Sequence, residues 1–144
     1  MPTIVETVYF PERATSLARP LFTALVPAGS PVPLADYIEG RLDLNRHLIK
    51  HPTATFFVRV AGDSMLGAGI HPGDILVVDR ALEAQDRQIV IAVVDGELTV
   101  KRLSRQPGGR MLLLPDNDAY QPLEIQSEME FEVWGVVTAV VHHL

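Results

Sequence analysis

From His51 onward the chain is cut into short runs of β-branched, leucine-rich or aromatic residues, each closed by a turn signal, and this limits it to a mainly β fold. Phe56–Val60, Ile75–Val78, Ile89–Val94, Leu98–Leu103, Arg110–Leu114 and Phe131–His143 have the length and residue types of strands. His71-Pro72-Gly73-Asp74 and Pro107-Gly108-Gly109 are turn sequences, and Asp95-Gly96 is a favoured two-residue hairpin loop. Many short strands separated by such signals imply a twisted, barrel-like antiparallel assembly. At 144 residues and 47% hydrophobic, the chain suffices for one such domain, with or without an arm.

The first third reads differently. Six of the eleven prolines fall within residues 1–33: Pro2, Pro11, Pro20, Pro27, Pro31 and Pro33. Proline lacks a backbone donor and resists helix and central-strand positions, so residues 1–33 are expected to form an extended arm with no regular compact element. Its apolar pieces, Val8-Tyr9-Phe10 and Leu21–Val26, suit docking on a surface, although an ordinary disordered tail would carry the same prolines. Residues 34–144 are then the folded domain. At its start Leu34, Ile38, Leu42, Leu48 and Ile49 recur at roughly helical spacing, predicting two short helices, the second capped by Asp43. His51-Pro52 stops them.

Cysteine is absent, which excludes disulfides and thiolate metal sites and fits a cytoplasmic location. No apolar window approaches a membrane span and no leader pattern opens the chain, so neither anchor nor membrane contact is expected. A net charge of −6 with scattered basic residues argues against direct nucleic-acid binding, which needs a basic patch to displace counterions. His47 and His51 stand four apart, but no third ligand is near, and no metal or cofactor is expected. His142 and His143, at the chain end, are expected to be solvated, and Asp116 and Asp118 to belong to a turn.

Chemistry concentrates at Gly62-Asp63-Ser64-Met65, where a strand breaks into small and polar residues. Asp63 or Ser64 would cap a helical turn over Met65–Ala68, ended by Gly69, and a lone Asp-Ser most often does only that. A second residue changes the balance. The chain has two lysines, Lys50 and Lys101, against ten arginines, and Lys101 lies in the extended segment Glu97–Leu103. Strand side chains alternate between faces, so Lys101 and Arg102 cannot both serve one site, and only lysine can act as a base near neutrality. A serine at a strand exit and a lysine on a strand suggest a Ser-Lys hydrolase, with His71 the rival base.

The segments Ala35-Asp36-Tyr37-Ile38-Glu39, Asp43-Leu44-Asn45, His51-Pro52-Thr53-Ala54-Thr55, Gly62-Asp63-Ser64-Met65, Val94-Asp95-Gly96-Glu97, Thr99-Val100-Lys101 and Val133-Trp134-Gly135-Val136-Val137 follow in order from about Leu21 to the C-terminus. Together they resemble the LexA/UmuD-type Ser-Lys peptidases, distant relatives of the Ser-Lys signal peptidases. The resemblance implies the barrel-like C-terminal fold of that family. It further implies Ser64 as nucleophile, Lys101 as base, and the backbone N–H groups of Ser64 and Asp63 as oxyanion donors. The chain would cut its own Ala28-Gly29 bond after DNA damage, stimulated by a RecA–single-stranded DNA filament. The product would be a homodimer serving a UmuC-like Y-family DNA polymerase in error-prone translesion synthesis. A non-catalytic dimeric module regulating a polymerase or repressor-type complex is the competing class. A LexA-like repressor is disfavoured, since about thirty proline-broken residues leave no room for a helix-turn-helix module.

Small residues at the bond let an extended backbone lie flush against a nucleophile. Gly29→Glu is therefore expected to abolish processing without unfolding the domain. Unchanged processing, followed by mass spectrometry, would move the cut elsewhere, toward Gly40 or Gly62.

Overall fold

The computed structural model describes residues 1–11, 18–22 and 38–144. In chain order the strands and helix are β1 (Ile4–Tyr9), β2 (Ala18–Phe22), β3 (Ile38–Asp43), α1 (Leu44–Leu48), β4 (Thr55–Ala61), β5 (Ile75–Asp79), β6 (Ile89–Val94), β7 (Glu97–Arg105), β8 (Met111–Leu114), β9 (Leu123–Glu124) and β10 (Phe131–Val141). They divide into two compact units, Met1–Pro11 with His51–Leu144, and Glu12–Lys50. This division differs from the break expected at residue 33.

The larger unit is an eight-stranded sheet in the order β1-β4-β5-β10-β6-β7-β8-β9, antiparallel at every pairing. The mainly β, antiparallel architecture expected from the strand and turn pattern, of the LexA type that the resemblance implies, is the one found. The Asp95-Gly96 hairpin joins β6 to β7 with Val94 opposite Glu97. Both loop residues have positive φ, 48° and 84°, which matches the right-handed twist of the flanking strands. The His71–Asp74 turn is closed by the Asp74 carboxylate, which accepts the His71 backbone N–H at 2.8 Å.

Both faces of β6 are buried, so Val90, Ile91 and Ala92 form a continuous apolar run rather than an alternating one. Ile91 packs with Phe56, Val58, Val60, Met65, Ile70, Leu76, Val78 and Val100. Val90 and Ala92 pack with Ala84, Leu103, Leu113 and Val136. Register shifts in β10 at Val133/Gly135 and Val137/Ala139 bend the strand between its two neighbours, as bulges do. No helix among the described residues is long and apolar enough to cross a membrane.

Two expectations are corrected. Residues 4–9 are a regular strand paired with β4, with Val5 and Val8 packed against the core. The prolines bracket this stretch at Pro2 and Pro11 instead of interrupting it, so the chain's proline content excluded less than expected. Within Glu12–Lys50 the first of the two expected helices is β3, paired antiparallel with β2 in a two-stranded ribbon. Gly40 weakens a helix there, and β2 supplies the ladder partner that a local reading could not see. The second helix, α1, is present, and Asp43 caps it by accepting the Asn45 N–H at 3.1 Å.

At Gly135 a Cβ would lie 2.7 Å from Val78 Cγ1 and 3.2 Å from the Asp79 carbonyl oxygen. Gly135→Ala should therefore cost about 1–3 kcal/mol through overpacking at the β5–β10 contact. The check is the denaturant midpoint, which should fall while the slope stays constant; an unmoved midpoint would contradict it.

Candidate functional site

Strand β4 ends at Ala61, and the chain leaves it through Gly62, whose φ of 84° few other residues would adopt. Ser64 follows with no exposed surface, and the buried Met65 pins the turn to the core. The expected turn is present as a short 3-10 segment, Leu66–Ala68, closed by Gly69 in the left-handed region. Neither Asp63 nor Ser64 caps it: Met65 stands at the cap position without a side-chain hydrogen bond. The Ser64 hydroxyl is thus not used for capping.

Lys101 reaches Ser64 from β7, with Nζ 3.1 Å from Oγ. Burial lowers the Lys101 ammonium from its ordinary pKa, because a charged amine loses solvation there. Arg102 lies on the other face of the strand, as alternation requires. Its Nη2 pairs with Asp116 Oδ2 at 2.5 Å and its Nη1 donates to the Arg87 carbonyl. A serine hydroxyl against a desolvated amine is an arrangement able to exchange a proton and generate an oxygen nucleophile.

Of the two expected oxyanion donors, the Asp63 backbone N–H is engaged, donating to the Met1 carbonyl at 2.8 Å. Ser64 Oγ also accepts a hydrogen bond, 2.7 Å long, from the Thr3 backbone N–H. Residues Ala28 and Gly29 lie outside the described residues.

Sequence reasoning missed the loop Pro115–Tyr120 as part of the site. Asn117 Nδ2 donates to the Asp63 carbonyl at 2.9 Å, and the Gly67 N–H donates to the Asp116 carbonyl at 2.7 Å. The Tyr120 hydroxyl donates to Asp63 Oδ1 at 2.5 Å. That bond and the nearby Met1 amino group hold the Asp63 carboxyl below the usual carboxylate range, and the bond to Asp63 raises the Tyr120 phenol. Asp116 and Asp118 do lie in the expected turn, closed by the Tyr120 N–H donating to the Asn117 carbonyl at 3.1 Å, but its partners lie some fifty residues away, where no local pattern points. An open cleft of about 510 Å³ lies between Leu66-Gly67 and Pro115–Asp118.

The histidines are placed elsewhere. His142, expected to be solvated, shares a 2.5 Å hydrogen bond with the buried Asp74, and its ring packs 4.7 Å from that of His71. Both Asp74 oxygens are engaged, one by His142 and one by the His71 backbone N–H, so the cluster ties the end of β10 to the turn before β5. His51 shares a 2.5 Å hydrogen bond with Asp79.

Residues 20–138 match the model of a family described as Peptidase S24-like. The chain is 53% identical to Protein SamA of Salmonella typhimurium over 123 residues, 85% of this chain and 84% of that one. It is 43% identical to Protein ImpA of Escherichia coli over 142 residues, 99% of this chain and 96% of that one. It is also 42% identical to LexA repressor 2 of Pseudomonas putida over 111 residues, 77% of this chain and 54% of the repressor. The match over residues 20–138, with relatives 43–53% identical over most of the chain, places this chain in the S24-like peptidase family.

Proposed function

We propose that the protein is an autoproteolytic serine endopeptidase with a Ser64–Lys101 dyad that cuts its own Ala28-Gly29 bond in response to DNA damage. The observation that carries this reading is the 3.1 Å approach of Lys101 Nζ to Ser64 Oγ, with burial and, among the described residues, no carboxylate acting on the amine. A carboxylate partner would hold the lysine charged; desolvation alone favours the neutral base.

In the proposed reaction neutral Lys101 takes the hydroxyl proton as Ser64 Oγ attacks the Ala28 carbonyl carbon. The backbone N–H groups of Ser64 and Asp63 hold the developing oxyanion. The bond to Gly29 breaks, and Lys101 passes its proton to the departing Gly29 amine. Water, deprotonated by Lys101, then releases Ala28 from the serine ester and restores the hydroxyl. Tethering supplies the effective concentration that a diffusing peptide would lack. The shortened chain serves as a homodimeric accessory subunit of a UmuC-like Y-family polymerase in the cytoplasm, with a RecA–single-stranded DNA filament as activator. The S24-like family match over most of the chain supports the peptidase part of this reading, and the polymerase role follows the motif resemblance.

Ser64→Ala and Lys101→Arg are expected to stay folded and to lose self-cleavage from about pH 7 to about pH 10, since arginine cannot act as a base there. In the wild type, loss of residues 1–28, read by mass, should speed up with pH as the neutral amine accumulates. The rate should level off above a midpoint below the free-lysine value of about 10.4. Cleavage of Lys101→Arg at near wild-type rate, following an ionisation near ~6.5, would transfer the base role to His71. Asn117→Asp keeps the acceptor that caps the Ala119 N–H but loses the donor to Asp63. It should slow cleavage about tenfold, the worth of one hydrogen bond, without moving the pH midpoint; an unaltered rate would leave Asn117 a structural residue only.

A further inference from the structure

Strand β1 does not stop at the edge of the sheet. Its ladder opens with Ile4 opposite Ala61, and the three residues before it run on over Gly62, Asp63 and Ser64. The Thr3 N–H donates to Ser64 Oγ at 2.7 Å, and the Met1 carbonyl accepts the Asp63 N–H at 2.8 Å. Thr3 is wholly buried. A Cβ at Gly62 would lie 1.9 Å from the Pro2 carbonyl oxygen, so only glycine leaves room for this segment.

We propose that Met1-Pro2-Thr3 is a resident peptide of the Ser64 site, bound in a non-productive orientation, which any scissile segment must displace before cleavage. The proposal rests on the Ser64–Lys101 reading above and adds to it what occupies the site at rest. The orientation follows from peptide geometry. Peptide bonds here are trans, so the Pro2 carbonyl points opposite to the Thr3 N–H. With that N–H aimed at Oγ, the carbonyl is turned away from the nucleophile, toward Gly62. The segment is therefore held as an inhibitor and not as a substrate. Its N–H occupies a lone pair of the hydroxyl that faces Lys101, and it takes one of the two proposed oxyanion donors.

The hold is strong enough to persist and weak enough to release. Val5 and Val8 anchor β1 in the core, so residues 1–3 can leave without unfolding the strand. Against them stands Thr3 Oγ1, a buried hydroxyl oxygen without a hydrogen-bond partner among the described residues. Such an atom carries a desolvation penalty that release to water removes.

Three full-length variants and three readouts test the proposal. Thr3→Pro removes the N–H that holds Oγ; it should raise both self-cleavage and labelling of Ser64 by a fluorophosphonate about tenfold, the scale set by one buried hydrogen bond. Thr3→Ala keeps the N–H and deletes the unpartnered oxygen, so it should raise neither. Exchange of the Thr3 amide, followed by NMR, should be slow in the wild type and faster in Ser64→Ala. Wild-type rates in Thr3→Pro, or equal acceleration by Thr3→Pro and Thr3→Ala, would overturn the proposal. If no form cleaves or labels, the dyad reading fails, and the exchange alone decides occupancy. Protection lost in Ser64→Ala would uphold it, and a Thr3 amide already fast in the wild type would overturn it.

Discussion

Ser64 and Lys101 meet because the sheet curls. In strand order β4 and β7 are separated by β5, β10 and β6. A flat sheet would set them about 19 Å apart, far beyond the reach of a lysine side chain. Twist accumulates across those strands, and the register shifts in β10 add to it at the middle of the sheet. Gly135 lies at one of these shifts, where β10 comes so close to Val78 that no side chain fits. The 3.1 Å contact at the site is thus supported by packing on strands that carry none of its chemistry.

The same curl sets the electrostatics. Lys101 is buried beside the Ser64 turn, and loss of solvation lowers its pKa. Arg102, one residue on, is directed to Asp116, and that pair steadies the loop whose Asn117 holds the Asp63 carbonyl. Two adjacent cations therefore differ in their surroundings. Among the described residues one is desolvated beside a hydroxyl with no carboxylate acting on it, and the other is paired with Asp116 and fixes a loop.

The N-terminal residues add a second layer to this arrangement. Strand β1 covers the edge of β4, which would otherwise offer unpaired backbone groups to any extended peptide. That edge leads straight to Gly62 and Ser64, so one stretch of backbone both completes the sheet and reaches the hydroxyl. Sheet completion and site occupancy are in this way parts of one continuous contact.

Much of this was written in the local sequence. The strands from Phe56 onward, the Asp95-Gly96 hairpin, the His71–Asp74 turn and the Asp43 cap depend on side-chain shape and backbone preference within a few residues, and those act wherever the segment lies. The candidate pair was legible too: Ser64 from its place at a strand exit, and Lys101 from its rarity and its position beside an arginine that must face away. What only the tertiary structure decided involves partners far apart in the chain. Residues 4–9 become a strand because β4 offers a ladder, and Ile38–Asp43 leaves the helical state because β2 does. Asn117 and Tyr120 join the site across more than fifty residues, and Thr3 reaches Ser64 across sixty-one. Backbone pairing and long-range hydrogen bonds depend on which segments the folded sheet brings together, and no local preference encodes that.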